Sequence, residues 1–157
     1  MIDRLELFLR CAAALEADAA EGYSRLGETM NERGNREVAA LFMKFGEFSR
    51  LHLAEVHEIQ QRELGRTFGD SVEGLTWPDG FSPEDPLAVA QLEGITPQGA
   101  IETALETERR ACDFYSAVAG QTRSARVQEL AQAFAEEEAE HVAHLERWLE
   151  NMPQRQK

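Results

Sequence analysis

"FAEEEAEHVAHLE", residues 134–146, is the stretch that decides the fold. At helical spacing Leu130, Phe134, Glu138, His141, Leu145 and Trp148 fall on one stripe, in steps of four and three. Its apolar members make the stripe core-facing. It nevertheless carries a carboxylate and an imidazole one turn apart, and a buried charge without a partner is very costly. The neighbours Glu136, Glu137 and Glu140 fall mostly outside the stripe and are expected in water. Glu138 and His141 are expected inside.

The same periodicity extends along most of the chain. A first helix over about 3–32 has the stripe Leu5, Leu9, Ala12, Glu16, Ala19, Tyr23, Leu26 and Met30. "ERGNREV" interrupts it, with Gly34 as terminator and Asn35 as cap for a second helix over about 36–64. That helix carries Leu41, Phe45, Ser49, His52, Val56 and Ile59. Residues 65–96 are rich in Gly and Pro, with room for one short helix around 84–92. Thr96-Pro97 then supplies an N-cap followed by proline at the first helical position. The third helix, about 97–121, has Ile101, Ala104, Glu108, Ala111, Tyr115 and Val118 on its stripe, and the fourth runs over about 124–150 to Met152-Pro153. Four long helices with one long crossover in the middle predict an all-α four-helix bundle, made of two helical hairpins in a single domain spanning 1–157.

The two hairpins repeat one another. Shifted by 92 positions, Glu16 falls on Glu108, Tyr23 on Tyr115, and Leu9 on Ile101. Shifted by 89, Phe45 falls on Phe134, His52 on His141, and Val56 on Leu145. A polar residue therefore recurs at one depth in every core stripe. Carboxylates facing one another in a dry core are tolerable only if protonated or neutralised by cations. Oxygen ligands with imidazole nitrogen suit iron, manganese or zinc better than copper(I). A Glu-x-x-His pair at i, i+3 places both donors on one helix face. Glu16, His52, Glu108, Glu138 and His141 are the candidate ligands.

Composition agrees with such a role. The formal net charge of −13 argues against nucleic acid and anionic membranes as partners and is compatible with attracting cations. No apolar run approaches ~18 residues, so no membrane span is expected. Asp3, Glu6 and Arg10 interrupt the apolar N-terminus, which reads as helix rather than secretion signal. The two cysteines, Cys11 and Cys112, lie in helical patterns without a Cys-x-x-Cys. They are expected to be small buried hydrophobes in a reducing cytoplasm.

On "LEADAAEGY" (15–23), "FGEFSRLH" (45–52), "TERRACDFY" (107–115) and "FAEEEAEH" (134–141), the chain resembles the rubrerythrin branch of the ferritin-like di-iron carboxylate proteins. The resemblance covers all four helices and leaves the crossover aside. It implies one Glu from each of the first and third helices on one iron each, here Glu16 and Glu108. It also implies a Glu-x-x-His from the second and fourth helices, giving bridging carboxylates and one His per iron, here Glu138, His52 and His141. Tyr23 and Tyr115 stand where the family often has a tyrosine that hydrogen-bonds a ligand carboxylate. Plain core packing with a satisfied hydroxyl is the alternative for both.

One position departs: Ser49 stands where the second helix's bridging Glu is expected. Three outcomes remain open. Two metals could bind with water or hydroxide as the missing bridge, or one near Glu108, Glu138 and His141, or Glu55, one turn beyond His52, could substitute. His144 is the repeat-equivalent of Glu55 and is a further donor in that layer, although His57 and His144 also read as boundary residues. The additional Glu that some rubrerythrins carry on the third helix is replaced by Ala111, and Glu106 points elsewhere. The chain as read ends at Lys157 without the Cys-x-x-Cys iron segment that the branch often appends. Electrons for a redox-active site are therefore expected from a separate donor protein.

The resemblance implies an iron-dependent oxidoreductase acting on peroxide or dioxygen, with one or two iron ions, or manganese or zinc in their place. Iron handling or storage without turnover, and a structural helical bundle, are the other readings. A homodimer is expected by resemblance.

Overall fold

A computed structural model describes residues 2–68 and 92–152. It contains four helices: α1 Leu5–Glu32, α2 Arg36–Leu64, α3 Pro97–Gln121 and α4 Ala125–Asn151. α1 packs along α2 and α3 along α4 as two hairpins with three-residue turns, and the hairpins face one another in a ferritin-like four-helix bundle. The short helix expected around 84–92 lies outside the described residues, as do Trp77 and Pro153.

Local chemistry sets the helix ends. Gly34 takes a left-handed φ of 80°, which allows the Asn35 amide to donate to the Met30 carbonyl and close α1. Asn35 then begins α2, its side-chain oxygen accepting from the Val38 amide at 3.0 Å. Thr96 accepts from the Gly99 amide at 2.9 Å to open α3. Ser124 does the same for α4 from Val127 at 3.2 Å. Ser124→Ala should remove one cap and destabilise the protein by about 1 kcal/mol, read as a lower urea midpoint with unchanged slope.

Polar ties join the hairpins near their ends. Asp3 accepts from the Arg123 amide at 2.8 Å and from the Thr122 hydroxyl, pinning the start of α1 to the α3–α4 turn. Arg126 on α4 forks onto the Glu63 carboxylate of α2, which holds the Glu63 carboxyl below its ordinary value.

The apolar core comes in two clusters. One takes residues 19–30 of α1, 38–45 of α2, 100–105 of α3 and Leu145 of α4. The other takes residues 8–15, 56–59, 115–118 and 127–134 of the same helices. Between them each helix contributes a polar layer: Glu16, Ser49 with His52, Glu108, and Glu138 with His141. Phe8, Tyr115 and Phe134 form a ring contact set below this layer, and Tyr23, Phe42 and Phe45 form another above it. The layer is thus walled by aromatic packing above and below, which holds its three carboxyl groups in fixed, dry positions; His141, expected inside, instead keeps 23% of its side chain open to solvent at the edge of the layer.

Candidate metal centre

Glu16, Glu108 and Glu138 are each at most 1% exposed, and His52 is 6% exposed. Three carboxyl groups in so dry a layer would repel if all were ionised. Burial first, and then the charge of Glu138, push the Glu108 carboxyl well above the usual carboxylate range, against the opposing pull of His141 and of Tyr23.

The arrangement is two-sided about Glu138. Ligand atoms of Glu16, His52 and Glu138 lie within 4.8 Å of one another, and so do those of Glu108, Glu138 and His141. On the second side His141 Nδ1 is 3.5 Å from Glu138 and 3.8 Å from Glu108, and it makes no hydrogen bond. On the first side His52 Nδ1 is 2.7 Å from Glu16 Oε1. Burial alone would lower the His52 pKa, but the hydrogen bond and charge of Glu16, then Glu137 and Glu55, outweigh it and raise it.

Aromatic neighbours hold the two imidazoles. The His52 ring meets Phe134 edge-on at 4.5 Å between centroids. The His141 ring stacks on Phe48 at 5.5 Å with the planes 5° apart. The Tyr23 hydroxyl donates to Glu108 Oε1 at 2.7 Å, across from α1 to α3. Tyr115 packs its ring on Phe8, Phe114 and Phe134. An outer partner that orients a ligand carboxylate is worth about ten- to a hundredfold in metal affinity. Tyr23→Phe should therefore weaken metal binding by about tenfold, measured by titration with Mn2+, with the helical spectrum unchanged.

Ser49 is buried on α2, in the layer and one turn before His52. Glu55 is exposed and groups with His52 and Glu137 rather than with the inner carboxylates. His144 is half-buried against Phe45, its pKa lowered by burial and then by Lys44, and it joins none of the ligand groups among the described residues. Glu137, expected in water, is instead half-buried with Oε2 3.5 Å from His52 Nε2. The internal repeat could not expose it, because its counterpart at an offset of 89 is Phe48. Both cysteines are free thiols, and burial pushes the Cys11 thiol up to about 12, which leaves it inert.

Carboxylate oxygen with imidazole nitrogen is a donor set for iron, manganese or zinc, and two buried imidazole nitrogens without hydrogen bonds, His141 Nδ1 and His52 Nε2, fit that chemistry. Among the described residues no helix is long and apolar enough to cross a membrane.

Comparison with known proteins agrees. The rubrerythrin family model matches residues 100–157, the stretch that carries Glu108 and the Glu138-x-x-His141 pair. An uncharacterized conserved protein from Magnetospirillum magnetotacticum MS-1 has a crystal structure similar to this one, with a TM-score of 0.76 and 30% sequence identity over 98% of this chain and 99% of that one. No curated protein matches. The rubrerythrin match over α3 and α4, together with the structural match over nearly the whole four-helix bundle, places this chain in the ferritin-like superfamily as a rubrerythrin-like member.

Proposed function

We propose that this protein binds iron in the buried layer and acts as an oxidoreductase on peroxide or dioxygen. The observation that carries the reading is Glu138, fully buried and within ligand distance of both an α1–α2 pair and an α3–α4 pair. Glu108, Glu138 and His141 hold one ion, and His52 with Glu16 beside it serves a second, weaker position. Two ferrous ions bound there would supply the two electrons that, with two protons, reduce one peroxide to two waters.

The chain's own residues prepare that chemistry. Tyr23 fixes the orientation of Glu108 through its hydroxyl. Phe45, Phe48 and Phe134 pack against the imidazoles and hold their orientation. Ser49 brings no charge, so three glutamates stand where four would balance two divalent ions. Electrons return from a separate donor protein, and the protein works as a homodimer in the cytoplasm.

Iron binding without turnover is the second reading, and buried Ser49 is the observation that favours it. The two are separated by mixing the anaerobic ferrous-loaded protein with hydrogen peroxide. Stoichiometric peroxide loss with ferric absorption, repeated after re-reduction, supports the oxidoreductase. Bound iron that leaves peroxide unconsumed supports sequestration.

A further inference from the structure

The two imidazoles of the layer are related by the internal repeat, yet their outer faces differ. Phe48 of α2 stacks on His141. The repeat-equivalent of Phe48 is Glu137 of α4, and it lies against His52 with a carboxylate oxygen 3.5 Å from Nε2. Likewise His144 has Glu55 as its counterpart, and Glu55 joins Glu137 and His52 in a group whose ligand atoms all lie within 4.8 Å of one another. The α1–α2 half therefore lacks a carboxylate inside the layer, at Ser49, while two carboxylates stand outside it around the same histidine.

The hydrogen bonding of His52 is oriented to match. Its Nδ1 lies 2.7 Å from Glu16 Oε1, and since a carboxylate can only accept, Nδ1 is the donor there. In a neutral imidazole that assignment leaves the lone pair on Nε2, which is buried, makes no hydrogen bond and faces Glu137. A carboxylate that accepts from one imidazole nitrogen while the other ligates is the usual support for a metal-bound histidine. Glu16 on this geometry orients His52.

We infer that this protein has an outer divalent-cation site formed by His52 Nε2, Glu55 and Glu137 on the α2–α4 seam, with Glu16 as the positioning residue. The donor set, one imidazole nitrogen and two carboxylates, suits Mn2+, Fe2+ or Zn2+. Two negative charges offset one divalent ion there without the missing inner carboxylate. Glu137 and Glu55 both reach solvent, so an ion can enter this site without crossing the core. The site rests on the metal-binding reading above and relocates the second position from the inner face of His52 to its outer face.

The test is a Mn2+ titration of the full-length protein by electron paramagnetic resonance, with circular dichroism to check the fold. Wild type should bind a second Mn2+ that the double variant Glu55→Gln, Glu137→Gln loses, while the first, on Glu108, Glu138 and His141, keeps its affinity. Glu16→Ala should weaken the second ion, and Glu16→Gln, whose amide oxygen still accepts from Nδ1, should recover much of that loss. A double variant with wild-type stoichiometry and affinity would overturn the outer site and leave the metal-binding reading standing. So would loss of the second ion in Glu16→Gln but not in the double variant, since that makes the Glu16 carboxylate a ligand and keeps the ion on the inner face of His52. Wild type that takes up no Mn2+ and no Fe2+ would overturn both together.

Discussion

Glu138→Leu is expected to abolish metal binding at the Glu108–His141 position and to make the metal-free protein more stable. The two effects share one cause. Glu138 is fully buried beside the Glu108 carboxyl as well as 3.5 Å from His141 Nδ1, and after burial its charge and hydrogen bond are what push the Glu108 carboxyl well above its ordinary range, so the two carboxyl groups disfavour one another's ionisation. A leucine of similar volume removes that mutual carboxyl repulsion and the cost of burying the charge, while His141, partly open to solvent, is not left as a sealed unpaired charge. The metal-free melting temperature should therefore rise. A structural ion held by four ligands contributes about 10–16 kcal/mol, or roughly 3 kcal/mol per ligand, so losing one costs roughly a hundredfold in affinity. The loss here should be larger, since Glu138 is the only residue within ligand distance of both inner groups among those described. Calorimetric scans with and without Mn2+ read both effects: the ion should raise the melting temperature of wild type and leave that of the variant unmoved. A variant that is less stable without metal, or that still responds to it, would remove the layer's carboxylate from any metal role.

Ser49→Glu should do the reverse. The position is buried in the layer, one turn before His52, and is the repeat-equivalent of Glu138. A carboxylate there adds charge to a dry core, so the metal-free variant should lose stability. With a divalent ion present it supplies the fourth negative charge and a ligand within the layer, and the His52 position should tighten by roughly a hundredfold. Ser49→Gln is the control, since it has similar volume and no charge. It should share the destabilisation without the gain in affinity. Equal affinities in the glutamate and glutamine variants would break the repeat alignment on which residue 49 is assigned.

The fold was largely legible in the residues. Spacing placed Glu16, Glu108 and Glu138 on core stripes, and all three are buried at one level. Gly34, Asn35, Thr96 and Ser124 mark ends where local hydrogen bonds close or open a helix, and such bonds depend on neighbours a few residues away. The candidate centre was legible because an internal repeat preserves it twice. What escaped was asymmetric. Glu137 sits beside the stripe, and only the packing of α2 against α4 turns its carboxylate toward His52 Nε2. Neither periodicity nor repeat carries that information, because it depends on which flank of α4 meets α2. His144 shows the converse: its repeat-equivalent takes part in a ligand group, whereas its own ring is occupied against Phe45.

The most direct measurement is iron per chain after anaerobic ferrous loading and desalting, with an optical spectrum before and after exposure to air. A layer of three buried glutamates and two histidines that serves as a metal centre predicts at least one retained iron per chain, together with ferric absorption that appears in air and bleaches on reduction. An iron-free protein with its helical spectrum intact would contradict it.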